Sequence, residues 1–548
     1  MLSMAAAVIF TGCDKEPEKV EPTLSINPEK TTISFATLEP VVESFDVDTN
    51  QESWDVVVTP ATATWVKAAK KADGSGFTVT AEENLEPGAR EEATITITAG
   101  EATPIVIKAN QLGLDPAFTI TPAPETLEFT AGATQSYTYE INTNQQDWDV
   151  TASEDWVVIE KDTDANTFTV TATLNGETTA RTATLTATSG HADDIAFDAA
   201  QKEMEIFAIG HAYTTTSTVG GSDIVYWKNG VKTTMTTGGN YSVSKMFVYG
   251  DKVYATGQWV GAGARQALYF KPDGTYEDMT GTIGSVFNSG GTGIWVEGDI
   301  DNPDVYISYY EGPKTWYEGD LTTTVMAMVW KNGDVTEISE HLGSAQTATM
   351  WKDGDDIYIA GQMDGMRGYW KNGDFDNEAD PAFYYSSTSG KFGSITDIKV
   401  MNGKVYQGGY TYDWDNSLYE GFWWADGEKH RFTNPNNDAI YCIDVDKDGN
   451  VYLGGNQESG WQRKASVVKN GQVTLLISEA NMNAVTCGMK VWGDDVYVLT
   501  SSFAAPSQSS SSIGRLYKVD AAGTVELLQE FTGTEGTAGL WMADLWIQ

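Results

Sequence analysis

Three cysteines and four histidines in 548 residues leave little material for metal or redox chemistry. The histidines, His191, His211, His341 and His430, are scattered. No His-Glu-x-x-His run, nucleophile elbow or phosphate-binding glycine loop occurs, which removes the zinc-protease, α/β-hydrolase and P-loop classes. Basic residues are also scarce, 34 against 77 acidic ones, for a net charge of −43. A field of that sign repels phosphate backbones and excludes nucleic acid as a partner. Long apolar runs are missing too: residues 2–12 form a short one, below the length that spans a bilayer. Glycoside hydrolysis needs only two carboxylates, so so acidic a chain leaves that chemistry open.

What the chain has is repetition. An apolar-Tyr strand recurs seven times, as Ile206-Phe207-Ala208, Val253-Tyr254-Ala255, Val305-Tyr306-Ile307, Ile357-Tyr358-Ile359, Val405-Tyr406-Gln407, Val451-Tyr452-Leu453 and Val496-Tyr497-Val498. A turn phrase follows each, clearest in Trp227-Lys228-Asn229-Gly230, Trp330-Lys331-Asn332-Gly333 and Trp370-Lys371-Asn372-Gly373. Asx-Gly between alternating strands is the strongest short hairpin signal. An all-strand period of roughly 40–50 residues is what propeller blades require. We therefore expect a seven-bladed β-propeller over residues 203–548, with the Trp-Lys-Asn-Gly phrase structural. The first repeat lacks an inner strand, and Leu540-Trp541-Met542-Ala543-Asp544-Leu545-Trp546-Ile547 is the candidate that closes the ring. Cys442 and Cys487 each stand nine residues before their repeat's Val, a register held elsewhere by Ser244, Ala348 and Thr396. They are expected at equivalent positions on neighbouring repeats, as buried thiols too far apart for a disulfide.

The other end of the chain reads as an address. Phe10-Thr11-Gly12-Cys13, after the short apolar run, resembles a bacterial lipobox. That resemblance implies a signal peptide over residues 1–12, lipidation of Cys13 and a tether over 13–22. The acidic residues that follow resemble the export signal of surface lipoproteins of Gram-negative gut bacteria. The expected place is the outer membrane, held by the lipid anchor alone and facing the exterior.

Residues 23–112 and 116–202 are copies of each other. Thr49-Asn50-Gln51 and Trp54-Asp55-Val56 match Thr143-Asn144-Gln145 and Trp148-Asp149-Val150. Trp65 matches Trp156, Asn84 matches Asn175, Arg90 matches Arg181, and each copy closes on Gln111 or Gln201. Short alternating Thr/Val/Ile strands argue for two Ig-like β-sandwiches in tandem, with the four Trp in their cores. On these residues the copies resemble BACON modules, a family named for its association with carbohydrate-active bacterial proteins. The resemblance implies glycan binding or a spacer role.

In a propeller, second-to-third loops and blade connections share one face. That face collects the residues that break the repeat: Trp259; Tyr309, Tyr310, Trp316 and Tyr317; Tyr384; Tyr410, Tyr412 and Trp414; and Trp461. Aromatic rings stack on pyranose faces, and neighbouring Glu311, Asp413, Asp415, Gln457 and Arg463 suit sugar hydroxyls. These ten aromatics are the candidate glycan site. Asp444, Asp446 and Asp448 match the opening of a calcium loop but lack its closing Glu, so calcium is the one ion the sequence suggests and a solvated turn is the competing reading.

The chain thus reads as all-β and as a non-catalytic surface lipoprotein whose propeller binds a polysaccharide or other glycan. A glycoside hydrolase or polysaccharide lyase on the same face is one alternative. An interaction platform for an envelope protein partner is another.

Overall fold

The structure, a computed structural model, describes residues 20–36, 42–214, 221–261, 264–280, 288–312, 325–339, 344–376, 391–413, 415–416, 418–425, 427–431, 438–459, 462–477, 482–504, 512–533 and 539–548. Among these the protein is all-β, in eleven four-stranded sheets, and no helix is long and apolar enough to cross a membrane. The chain divides into two compact units. One holds most of the residues up to 200; the other holds 201–548 with the short segments 130–133 and 174–181.

In the first unit the strands come as pairs of sheets. Leu24–Asn27, Val42–Thr49, Gly76–Ala81 and Val66–Lys70 form one sheet; Thr32–Phe35, Ile105–Gln111, Ala93–Thr98 and Asp55–Thr59 form its partner. Alternation decides which side chains meet: Ile95 and Ile97 of Ala93–Thr98 turn inward, while the alternating Thr94 and Thr96 are half-exposed. They share one core with Phe45 and Phe77, whose rings stack at 4.9 Å. The second copy repeats this with Tyr139 on Phe168 at 5.2 Å.

Trp65 and Trp156 are buried, edge-on to Phe35 and Phe129. Trp54 and Trp148 sit at the core's edge, packed against Phe77 and Phe168. They are half-exposed, and each indole N–H donates outward, to the Gly74 carbonyl and to Asn166 Oδ1, both at 3.3 Å. The repeated Asn84 is buried, with its amide donating to the Gly88 and Leu112 carbonyls; it is a turn anchor.

The second unit holds seven antiparallel sheets in chain order. Their first strands are Tyr241–Tyr249, Ser289–Gly298, Ala345–Asp353, Lys391–Met401, Asp438–Val445, Met482–Trp492 and, for the sheet that contains Ile206–Tyr213, the C-terminal Gly539–Ile547. Gly539–Ile547 pairs antiparallel with Ile206–Tyr213, from Ile206 opposite Ile547 to Tyr213 opposite Gly539. Each of these strands lies against the next, and Gly539–Ile547 touches both Met482–Trp492 and Tyr241–Tyr249, so the series returns to its start.

The repeated phrase explains itself here. Asn332 and Gly333 have φ of 48° and 103°, and Asn372 and Gly373 of 52° and 95°. Positive φ at both central residues makes a turn whose twist matches its strands. The Asn side chain then clamps the neighbouring hairpin: Asn332 Oδ1 accepts from the Val305 N–H at 2.9 Å while its amide donates to Asp304. Asn372 does the same with Ile357 and Asp356. The Lys of the phrase pairs with that Asp and lies over the Tyr ring, as Lys331 does with Asp304 and Tyr306. Trp227, Trp330 and Trp370 are buried between sheets.

One expectation fails on the cysteines. Each inner strand carries a one-residue bulge, at Ser244, Thr292, Ala348, Thr396, Tyr441, Cys487 and Ala543. Cys487 is a bulge residue, but Cys442 comes one position after its strand's bulge. Five residues, Asp446–Asn450, separate the paired Val445 and Val451, against four, Trp492–Asp495, between Val491 and Val496, so counting back from Val451 and Val496 does not reach equivalent positions. Both thiols are free.

Candidate functional site

The bulges aim side chains into the space between the inner strands. Position by position they build three tiers, and these define the site.

The innermost tier lies three residues beyond each bulge: Phe247, Trp295, Trp351, Lys399, Asp444, Lys490 and Trp546. Phe247 packs on Trp546 at 4.5 Å and on Trp295 at 4.9 Å, and Trp295 packs on Trp351 at 5.2 Å. Lys399 sits 4.2 Å over Trp351 and pairs with Asp444 at 2.8 Å; Lys490 sits 5.3 Å over Trp546. Burial opposes ionisation of Asp444, but Lys399 and Lys490 outweigh it and hold the carboxyl below its ordinary value. The same burial pushes the Lys490 ammonium down. The void above this ring is only about 50 Å³.

The middle tier includes Lys245, Asp397 and Asp544. Lys245 lies 3.8 Å from Asp397 and 3.7 Å from Asp544. Both carboxylates are anchored by backbone amides: Asp397 accepts from Ile398 and Ile443, and Asp544 from Met246. Two of these bonds tie one sheet to the next. Burial raises the Asp397 carboxyl despite Lys245, whereas the two carboxylates overcome burial at Lys245 and raise its ammonium.

Above it opens a cavity of about 530 Å³, within the size range of small-ligand sites. Six of the seven bulge residues line it, together with His211, Gln346, Gln362, Arg367, Ser394 and Trp541. The Arg367 guanidinium is fixed by the Gly393 carbonyl at 2.6 Å and the Gly365 carbonyl at 3.0 Å; burial lowers it to about 10, so it stays charged at neutral pH. His211 is buried, its Nε2 3.3 Å from the Tyr213 hydroxyl and its Nδ1 without a partner. Burial lowers the imidazole to about 4, so it is neutral at pH 7. Gln362 donates to Gln346 at 3.3 Å. The lining thus offers hydroxyls, amides, an imidazole and the aromatic Tyr441 and Trp541.

The aromatics expected from the sequence divide. Tyr410 packs at a tilt against Tyr441 at 5.9 Å, which lines the cavity, and edge-on to Tyr419 at 5.3 Å; Tyr412 joins the same cluster through Tyr419 at 4.6 Å. Tyr309 is corrected: it is fully buried, and its hydroxyl donates to the Met279 carbonyl, so it cannot present a ring to a ligand. Trp259 is half-buried, and its ring covers Gly261 of its own strand. Tyr310 is half-buried and covers Gly290. Trp316, Tyr317, Tyr384, Trp414, Trp461 and Cys13 lie outside the described residues.

The candidate calcium ligands do not converge. Asp444 turns inward to Lys399. Asp446 accepts from the Asp448 and Asn450 amides and the Tyr452 hydroxyl, which is a self-sufficient turn, and Asp448 pairs with Lys447. Among the described residues no group of His, Cys, Asp and Glu is arranged to hold a metal ion.

Sequence reasoning missed the cavity because it weighed loops and took the inner strands as packing. A signal was present: Lys245, Asp397, Asp444, Lys490 and Asp544 interrupt strands that otherwise read as apolar.

A family model described as "BACON: Putative binding domain, N-terminal" matches residues 146–196. No curated protein matches the chain. Similar solved structures include an endo-fucoidan hydrolase of glycoside hydrolase family 107, 13% identical, with 34% of this chain and 29% of that one covered and a TM-score of 0.20. Tandem Ig repeats of Dlar are 9% identical, covering 33% of this chain and 98% of theirs at a TM-score of 0.14. Extracellular cadherin domains 1–5 of protocadherin gamma B2 are 8% identical, covering 83% of this chain and 80% of theirs at 0.19.

Proposed function

We propose that the protein is a cell-surface lipoprotein, anchored through Cys13, whose C-terminal unit is a seven-bladed β-propeller that binds a glycan in its central cavity. The cyclic contact of seven inner strands supports the propeller reading. The observation that carries the binding reading is the cavity of about 530 Å³, lined by hydroxyl, amide and aromatic side chains. Amides and hydroxyls match sugar hydroxyls, and Tyr441 and Trp541 of the lining supply aromatic surface for a pyranose. The described lining carries no carboxylate, whereas glycoside hydrolysis needs a pair, which favours binding over turnover. The BACON match at residues 146–196 agrees with work on carbohydrate.

A glycan array probed with residues 14–548 tests this. A selective set of hits is expected. A blank array with folded protein would overturn it and favour an envelope protein as the partner.

A further inference from the structure

The cavity is the wrong sign for the molecule that contains it. The chain carries a net charge of −43, and acidic residues outnumber basic ones 77 to 34. Yet the described lining of this cavity holds Lys245 and Arg367 and no carboxylate. Counting the tiers beneath as well, the space between the inner strands contains Lys245, Lys399, Lys490 and Arg367 against Asp397, Asp444 and Asp544. Four cations face three carboxylates.

Two details show that the cationic floor is open to an occupant. Lys245 lines both the cavity and the small void below it. Its contacts to Asp397 and Asp544, at 3.8 and 3.7 Å, are longer than hydrogen bonds, and both carboxylates already accept backbone amides. An ammonium carries three donors, so Asp397 and Asp544 leave at least one for an occupant. On the wall, His211 is 6% exposed and its Nδ1 has no partner. A buried polar atom left without a hydrogen bond is costly, and a ligand or a water that the ligand displaces would satisfy it.

Resting on the glycan-binding reading, we propose that the cavity selects an acidic saccharide: the sugar that enters carries a carboxylate or a sulfate ester, which sits over Lys245. The surrounding negative field repels such a ligand at long range, so selection arises inside the cavity, where the dielectric is low and Lys245 and Arg367 line the wall while Asp397 and Asp544 lie beneath it. That field also makes capture faster as salt rises, while binding of the seated anion weakens with salt only modestly because the pair is buried.

The test is a glycan array of matched sets: uronate-bearing oligosaccharides, the same chains with their carboxyls reduced to alcohols, and sulfated and unsulfated versions of one neutral chain. Wild type is expected to bind acidic members at least tenfold more tightly than their neutral partners, and the two acidic arms distinguish carboxylate from sulfate. Lys245→Gln should abolish that preference while any residual binding of neutral sugar persists. If the variant does not fold, wild-type preference across the matched pairs decides alone. Equal binding of acidic and neutral partners overturns the proposal and leaves glycan binding standing. A blank array overturns both.

Discussion

Acid should destabilise this protein through one side chain in a window that can be worked out in advance. His211 is buried, and the loss of water lowers its imidazole from 6.5 to about 4. The unfolded chain takes up the proton near pH 6.5, but the folded chain takes it up only near 4. Between those values the unfolded state binds more protons, so stability falls as pH falls through that window and is unaffected above it. The full loss is roughly 3.5 kcal/mol, at about 1.4 kcal/mol for each pH unit of separation. Urea unfolding of the wild type and of His211→Gln, followed at pH 7.5, 6, 5 and 4.5, isolates the effect, because contributions from the many carboxylates are common to both and cancel in the difference. The wild type should lose ground to the variant by roughly 2.5 kcal/mol over the series, which stops short of the full loss at pH 4.5. Parallel profiles would refute the claim that His211 is held neutral by burial.

Other expectations follow from the same contacts. Asp444→Ala strands Lys399 and Lys490 in the innermost ring and should cost about 3–5 kcal/mol in urea unfolding; Asp444→Leu combined with Lys399→Met and Lys490→Met should recover much of it, because the loss comes from unpaired charge. Asn332→Ala removes a clamp and puts at positive φ a residue that tolerates it less well than Asn, for about 1–2 kcal/mol, while Asn332→Gly should cost less; equal losses would mean that only the clamp matters. Deleting Gly539–Gln548 exposes the Ile206–Tyr213 edge and should replace monodisperse protein with aggregates in size-exclusion chromatography; an unchanged monomer would contradict closure by that strand. Because Asp446 is satisfied by its own turn, calcium and chelator should give the same melting temperature, and a calcium-dependent rise would refute this.

The strands were legible because their determinants are local. Alternation, Asn-Gly turns and a repeating Trp-Lys phrase act over a few residues, and the pairing of Gly539–Ile547 with Ile206–Tyr213 follows from one repeat lacking a strand. The site was less legible because bulges decide it. A one-residue bulge reverses which side chains face inward, and its position depends on pairing and turn length. The extra residue in the Asp446–Asn450 turn shifts Cys442 out of register with Cys487, and no spacing count reveals that. Loop aromatics misled in one case for a related reason: Tyr309 belongs to the strand, and strand phase sends it into the core while Tyr310 faces the other way. The buried Lys and Asp of the inner strands were visible as letters, but only the cyclic neighbourhood of seven strands brings them together.

Filling the cavity tests the central claim most directly. Ala348 is a bulge residue on the lining, and Ala348→Trp would place an indole in the space where a sugar is proposed to sit. Calorimetric titration of the tightest array glycan into the wild type and the variant, with melting curves for both, is the measurement. The account predicts that the variant melts like the wild type and loses at least tenfold in affinity. A folded variant that binds as well as the wild type would contradict it and place the ligand elsewhere.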